Sequence, residues 1–379
     1  MITPAYPAAR SAATTLERYF ARHLAEAKRH GQPDLASSPD AQAIEAIIDV
    51  AFWSSLRREE SYFPKISLAF LPPEQAGQPL VFEQFLPFDP FSLTRLAPAV
   101  ERPGIHLGVW RNGDELEVWG TTRTVPRFCF VLYVFNPGLL VVKYRPNKDS
   151  VKFVNVMAIN GDQIKEIDEE GTKLSDCPAL LASLLKFGLL GVQDDTVSIL
   201  IQLAASMRTH ERGGSLLVVP NGTESWRESI VSPVSYSVTP PFTELADLMR
   251  QDEKEKNNRL WQENVQDSVE AIAGLTAVDG ATVINDQYEL LAFGTKIKPP
   301  SGAAQVELVI VTEPIVGNTA SIVHPVLIGG TRHLSAAQFV QDQPSAIALV
   351  ASQDGHFTVF AWSPCEQMVH AHRIETLLL

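Results

Sequence analysis

The sequence predicts an α/β protein of two domains, and three observations lead there. Stretches with a helical apolar period alternate with short β-like runs. The 379 residues exceed the roughly 250–300 at which a single core stops growing. A content of 45% hydrophobic and 20% charged residues is that of a chain that folds.

The chain opens with helices. Thr14 and Glu17 form a capping-box pair, and Leu16, Phe20, Leu24 and Ala27 fall on one face of a helix ending near Gly31. A second helix is expected from about Ala41 to Arg58, with Ile44, Ile47, Ile48, Ala51, Phe52 and Leu56 at helical spacing. From Ile66 to about Val156 the period shortens. β-like runs are expected at Ile66 to Leu71, Ile105 to Trp110, Leu116 to Gly120, Phe128 to Phe135 and Leu139 to Tyr144. Asn112-Gly113-Asp114 signals a hairpin, since Asn and Gly accept positive φ cheaply. A helix from Pro178 to Leu190 closes a mixed α/β domain at 1–190, with Gly191 and Asp194-Asp195 as its border.

The second domain, 195–379, reads as a helix from Val197 to His210, a strand from Ser215 to Val219, and a helical segment from about Phe242 that later carries Trp261, Val265, Val269 and Ile272. Strands follow at Val278 to Ile284, Glu289 to Phe293, Val306 to Thr312, Ala346 to Ala351 and Phe357 to Trp362. The Pro-, Gly- and Ala-rich stretch from Lys298 to His324 reads as an insertion around one strand.

Charge restricts the partners. Residues 1–190 hold 20 basic and 22 acidic side chains, net -2, whereas 191–379 hold 11 and 22, net -11. No basic stripe is available to neutralise a phosphate backbone, so nucleic acid is not an expected partner. A small anion would need a few placed Arg, His and backbone N–H groups, together with a divalent cation. The three cysteines are far apart, without the spacing of a zinc site or a redox pair. The longest apolar run, Phe128 to Val142, is broken by Asn136-Pro137-Gly138 and falls short of the ~20 residues that cross a bilayer. With no secretory signal pattern at the start, a cytoplasmic protein without a membrane partner is expected.

Two segments could carry chemistry. Val278-Asp279-Gly280-Ala281-Thr282-Val283-Ile284 sets an acid and a glycine at the edge of an apolar strand. It suits a plain turn, or an Asp that takes a metal or a hydroxyl proton while the glycine admits a ligand. Ile328-Gly329-Gly330-Thr331-Arg332-His333-Leu334-Ser335 opens a helix. It suits a helix cap with a surface Arg, or an anion site of backbone N–H groups, hydroxyls and a guanidinium fork. Of the nine histidines, only His333 and His356 have a polar setting of this kind.

Together these segments resemble the diadenylate cyclase domain. That family carries Asp-Gly-Ala at a strand start and, further on, Gly-Thr-Arg-His-Arg before a small residue and Ala. Asp279-Gly280-Ala281 and Gly330-Thr331-Arg332-His333 match, as do Ser335-Ala336, while Leu334 stands in place of the second Arg and Val278 where some members carry a metal-binding His. Ala292-Phe293-Gly294, the Ile347 to Ser352 strand and Gly213 to Val219 also fall in order. The resemblance covers roughly 195–379. Upstream, Phe52 to Glu60 and Gly108 to Gly120 are similar to a probable sensor module of such bacterial proteins.

The resemblance implies a mixed-sheet nucleotide-binding domain with flanking helices behind a sensor-like α/β domain. It implies that two ATP molecules, facing each other across a homodimer or higher homo-oligomer, condense to cyclic di-AMP and pyrophosphate with Mg²⁺ or Mn²⁺. Asp279, Arg332 and His333 would be catalytic, with Asp279 also the metal ligand. Gly280, Ala281, Gly330, Thr331, Ser335 and Ser352 would bind the nucleotide. The alternative from another class is a module that binds ATP or cyclic di-AMP and has lost synthesis, as Leu334 and Val278 would allow.

Overall fold

The computed structural model describes residues 5–59, 61–146, 153–167, 199–252 and 258–379. The chain divides into two compact units, Met1–Glu169 with Leu379, and Glu170–Leu378. The expected helix from Pro178 to Leu190 and the expected border near 190–195 lie outside the described residues.

The first unit is a mixed α/β layer structure. Helices α1 (Pro7–Arg29), α2 (Ala41–Ser55) and α3 (Pro90–Val100) accompany strands β1 (Ile66–Phe70), β2 (Leu80–Pro87), β3 (His106–Asn112), β4 (Glu115–Thr122), β5 (Val131–Asn136), β6 (Leu139–Tyr144), β7 (Val154–Asn160) and β8 (Gln163–Glu166). The sheet order is β2-β4-β3-β1-β5-β6-β7-β8, with β1 and β3 parallel. One face packs on the helices through Leu16, Phe20, Ile44, Ile48, Leu68, Phe70 and Leu132. A smaller cluster around Trp119 and Cys129 covers part of the other face.

The first helix begins earlier than the capping pattern suggests. Tyr6 precedes it and Pro7 occupies its first turn, where a missing N–H costs nothing. Thr14 and Glu17 are therefore interior, and the Glu17 carboxylate accepts a hydrogen bond from Ala41 N at 3.1 Å, so it caps α2 instead. The hairpin at Asn112-Gly113-Asp114 joins β3 to β4 with Asn112 paired to Glu115. Strands β2, β7 and β8 and helix α3 go beyond the sequence reading. β2 lies at a sheet edge with a mostly exposed face, so no alternation marks it, and α3 carries Pro98 inside it.

The second unit holds α4 (Ile199–Thr209), α5 (Glu244–Arg250), α6 (Arg259–Leu275) and α7 (Thr331–Asp342). Its strands are β9 (Gly214–Val219), β10 (Tyr236–Phe242), β11 (Ala281–Asn285), β12 (Leu290–Thr295), β13 (Val309–Thr312), β14 (Ser321–Val323), β15 (Ile347–Ala351), β16 (Phe357–Ser363) and β17 (Met368–Arg373). They form one mixed sheet in the order β10-β12-β11-β9-β15-β16-β17-β13-β14. Successive residues of β9 alternate between two cores. Leu216 and Val218 join α4, α5 and α6, while Leu217 and Val219 join α7. With both faces covered, β9, β11 and β15 are buried throughout, which explains their continuous apolar runs.

The expected insertion between Lys298 and His324 instead extends the sheet, with β13 parallel to β17 and antiparallel to β14. β10 contains Pro240 and Pro241 yet sits at the edge, where lost N–H donors face no partner strand. Asp279 and Gly280 precede β11 rather than belonging to it. Among the described residues, no helix is long and apolar enough to cross a membrane.

Three histidines are buried as neutral rings. His106 in the first unit hydrogen-bonds Ser67 at 2.7 Å, and burial lowers its pKa to about 4. His372 in the second hydrogen-bonds Thr312 at 2.6 Å, and burial lowers its pKa to about 3. Burial, with the nearby Arg373 charge, lowers that of His333 to about 4. Protons then bind the unfolded chain first, so stability is full above about pH 6.5 and is lost as pH falls toward 4. Urea unfolding at pH 7 and pH 4.5 should show this loss, up to about 2–3 kcal/mol per buried ring. His372→Gln should flatten the pH dependence, and an unchanged slope in that variant would contradict the assignment.

Candidate functional site

The sheet register brings four strand ends to one edge of the second unit. Ala281, first in β11, pairs in parallel with Ser215 of β9 and in antiparallel with Thr295, last in β12. Gly214 of β9 pairs with Ala351, last in β15. The N-terminal turn of α7 stands against this edge. Between them opens a cleft of about 340 Å³ lined by Ser215, Asp279, Gly280, Ala281, Lys296, Thr331, Arg332 and Ser335, with Thr295 and Ile297. That volume is within the range of small-molecule sites.

Gly280 fixes the floor. Its φ is +120°, and a Cβ there would lie 2.5 Å from Gly294 C and 2.7 Å from Thr295 O. Only glycine permits so close a pass of one strand by the other. The Thr295 hydroxyl donates to Ala281 O at 2.8 Å, which holds the same crossing from the other side.

The close pass sets Asp279 beside Lys296. The Lys296 ammonium donates to Asp279 Oδ2. This hydrogen bond and the Lys296 charge hold the exposed Asp279 carboxyl below its ordinary range, with a smaller contribution from Arg332. Arg332 forms no salt bridge among the described residues. Its guanidinium reaches over Gly213, with Nη1 2.8 Å from where a Cβ would stand. The cleft thus holds two cations against one carboxylate in a chain whose net charge is -13. Backbone N–H groups at the start of α7 and the hydroxyls of Ser215, Thr331 and Ser335 add donors for an anion.

Six expected site residues therefore meet here: Asp279, Gly280, Ala281, Thr331, Arg332 and Ser335. Gly330, His333 and Ser352 do not line the cleft. Gly330 precedes α7 as its cap without a side-chain hydrogen bond, and its position has room for a side chain. Gly329 is the tighter of the pair, since a Cβ there would stand 2.3 Å from His333 Nδ1. The His333 ring is buried, edge-on to Phe360 at 6.0 Å and 3.4 Å from the Thr358 hydroxyl. It holds the Gly329-Gly330 turn from behind. Ser352 lies just past β15, where its hydroxyl helps hold the Asp354 carboxyl below its ordinary range. Leu334 packs against the core beneath α7. His356 pairs with Glu375 at 3.2 Å and its pKa is raised by that partner.

Lys296 and Ser215 also line the cleft, although neither belongs to the Asp279-Gly280-Ala281 or the Gly330 to Ser335 motif. Lys296 follows Asp279 by 17 residues, a separation with no local period, and only the pairing of Ala281 with Thr295 brings the two together. Among the described residues, no group of three or more His, Cys, Asp or Glu side chains is placed to hold a metal. Among the described residues, Asp279 is the one acidic side chain of the cleft lining.

Residues 33–123 match the model of the DACNV family, described as a probable sensor domain. No curated protein matches the chain. Among solved structures, a hypothetical membrane spanning protein from Bacillus cereus is similar with 14% identity and a TM-score of 0.26, over 46% of this chain and 61% of that one. A double-cysteine variant of DacA from Staphylococcus aureus is similar with 12% identity and a TM-score of 0.24, over 46% of this chain and 83% of that one. The chain thus spans less than two thirds of the length of the first of these.

The Lys296 contact makes a measurable claim. With Lys296→Met, the Asp279 carboxyl should titrate upward toward the ordinary carboxylate range, read by carboxyl carbon shifts in NMR. A titration identical to that of the parent chain would show that the pair does not form in solution.

Proposed function

We propose that the second unit binds ATP in the cleft between Asp279 and Arg332, and that two such units condense two ATP molecules into cyclic di-AMP and pyrophosphate. The observation that carries this reading is the meeting of the Asp279-Gly280-Ala281 turn with the Thr331-Arg332 helix start at one sheet edge. Those are the two motifs by which the sequence resembles diadenylate cyclases. Each 3′-hydroxyl attacks the α-phosphorus of the other ATP, the bond to the β-phosphate oxygen breaks, and the hydroxyl proton passes to water. One site holds one ATP, so the reaction needs a homodimer or higher homo-oligomer.

In this reading Arg332, Lys296 and the first N–H groups of α7 receive the triphosphate and steady the charge that grows on the leaving pyrophosphate. Thr331, Ser335 and Ser215 add hydroxyl donors. Gly280 and Ala281 bring backbone close to the nucleotide. Asp279, held ionised by Lys296, is a weak proton acceptor and a good ligand for a hard cation. A single carboxylate suits Mg²⁺ or Mn²⁺ that arrives with the triphosphate and takes its other ligands from phosphate and water. The ion supplies charge neutralisation at the phosphates. His333 acts as a positioning residue behind the turn, and Gly330 and Ser352 sit at its margins. Residues 1–190 act as the sensor domain and 195–379 as the nucleotide domain, in the cytoplasm where ATP is supplied, with neither nucleic acid nor a membrane as partner.

A second reading, a nucleotide-binding module without synthesis, is favoured by Leu334, which packs against the core and leaves the family's second Arg without a counterpart at that position. Incubation of the whole chain with ATP and Mn²⁺, read by mass spectrometry, separates the two. Cyclic di-AMP should form, and Asp279→Asn should lower the rate at least a hundredfold while leaving the circular dichroism unchanged. Binding of ATP or cyclic di-AMP without product would support the second reading, and an absence of binding of both nucleotides would overturn both.

A further inference from the structure

The first unit contains a larger cavity than the cleft just described, and it lies within residues 33–123. It measures about 430 Å³ and opens between α2, the end of β2 and the β3–β4 hairpin. Ala43, Ala46 and Val50 come from one face of α2, at the spacing of successive helical turns. Phe85, Phe88 and Leu116 close the opposite side. Phe85 is 46% exposed, so an apolar body entering here would cover aromatic surface that now meets water.

The polar groups of the cavity are unequal in sign. Arg111 is the only cation among the described lining residues, and Asp114, Glu115 and Glu117 also line it. Arg111 is already engaged by Asp40, whose carboxyl it holds below the ordinary range, mainly through their hydrogen bond. Asp40 also caps α2 by accepting from Ala43 N at 2.9 Å, so the pair is built into the start of the helix. Asp114, Glu115 and Glu117 form no salt bridge among the described residues. Glu117 is half-buried and held by Asn112 Nδ2 at 3.1 Å. An anion entering the cavity would have to draw Arg111 away from Asp40 while facing three carboxylates. A cation would offset part of the excess negative charge, and the aromatic rings would favour it further.

We infer that this cavity is a binding site for a small organic cation, a flat apolar body carrying an ammonium group. The body lies between α2 and the Phe85 and Phe88 rings, and the ammonium meets Glu117 and its neighbours on the hairpin. The site does not depend on what the second unit does.

Calorimetric titration of the whole chain with tryptamine tests it, with indole-3-propionate as the probe of equal shape and opposite charge. Tryptamine should bind one equivalent at millimolar concentration or below, and indole-3-propionate at least tenfold more weakly. Glu117→Gln should weaken tryptamine about two- to fivefold, the range of a partly exposed ion pair. Ala46→Phe fills the cavity from the helix side and should abolish binding with the circular dichroism unchanged. Equal affinity for the two indoles, no binding of tryptamine at millimolar concentration, or tryptamine binding untouched by both Glu117→Gln and Ala46→Phe would each overturn the inference.

Discussion

The second unit depends on one close approach, the passage of the Gly280 backbone against Gly294 and Thr295. The strands there are nearer than any side chain would allow, and the Thr295 hydroxyl ties the crossing to Ala281 O. From this contact follow the start of β11 beside β9 and the ion pair of Asp279 with Lys296. The opening of a cleft toward α7 follows too. A methyl group at 280 would push β11 and β12 apart and carry Asp279 away from both cations. The local turn and the site chemistry are therefore one constraint.

In the proposed reading, the cleft also resolves a conflict in charge. A chain of net charge -13 would repel a triphosphate, yet at this edge Lys296 and Arg332 outnumber Asp279. Lys296 keeps Asp279 ionised and at the same time occupies it. A divalent ion reaching the carboxylate would compete with the ammonium, which is then free to turn to phosphate. Binding of the ion and of the anion would in this way favour each other. At an exposed pair such exchange is inexpensive, because screening by water leaves little net attraction to break.

Much of this was legible in the sequence, and for physical reasons. Buried strands such as β9, β11 and β15 announce themselves as unbroken apolar runs because both faces are covered. Helices α2 and α6 show their stripes because one face meets the sheet. Edge strands and strands with interrupted apolar patterns were not legible. β2 is largely exposed, β10 contains two prolines, and β17 interleaves His370 and His372 with apolar residues, so each lacks a clean period. At the site, the motif residues Asp279 and Arg332 were readable by type and order, whereas Lys296 and Ser215 required the pairing register. His333 was read as part of the chemistry, but its ring turns into the core between Thr358 and Phe360. Helix periodicity around residue 333 is too short a signal to tell those two directions apart.

The central claim is that the sheet edge facing α7 is built to receive phosphate. Calorimetric titration of the parent chain and of Arg332→Ala with ATP, and of both with adenosine, addresses it most directly. The account predicts that Arg332→Ala weakens ATP roughly tenfold to a hundredfold, as loss of a charge-assisted contact implies, and leaves adenosine affinity unchanged. Equal ATP affinity in the two proteins, or an equal loss for adenosine, would contradict it.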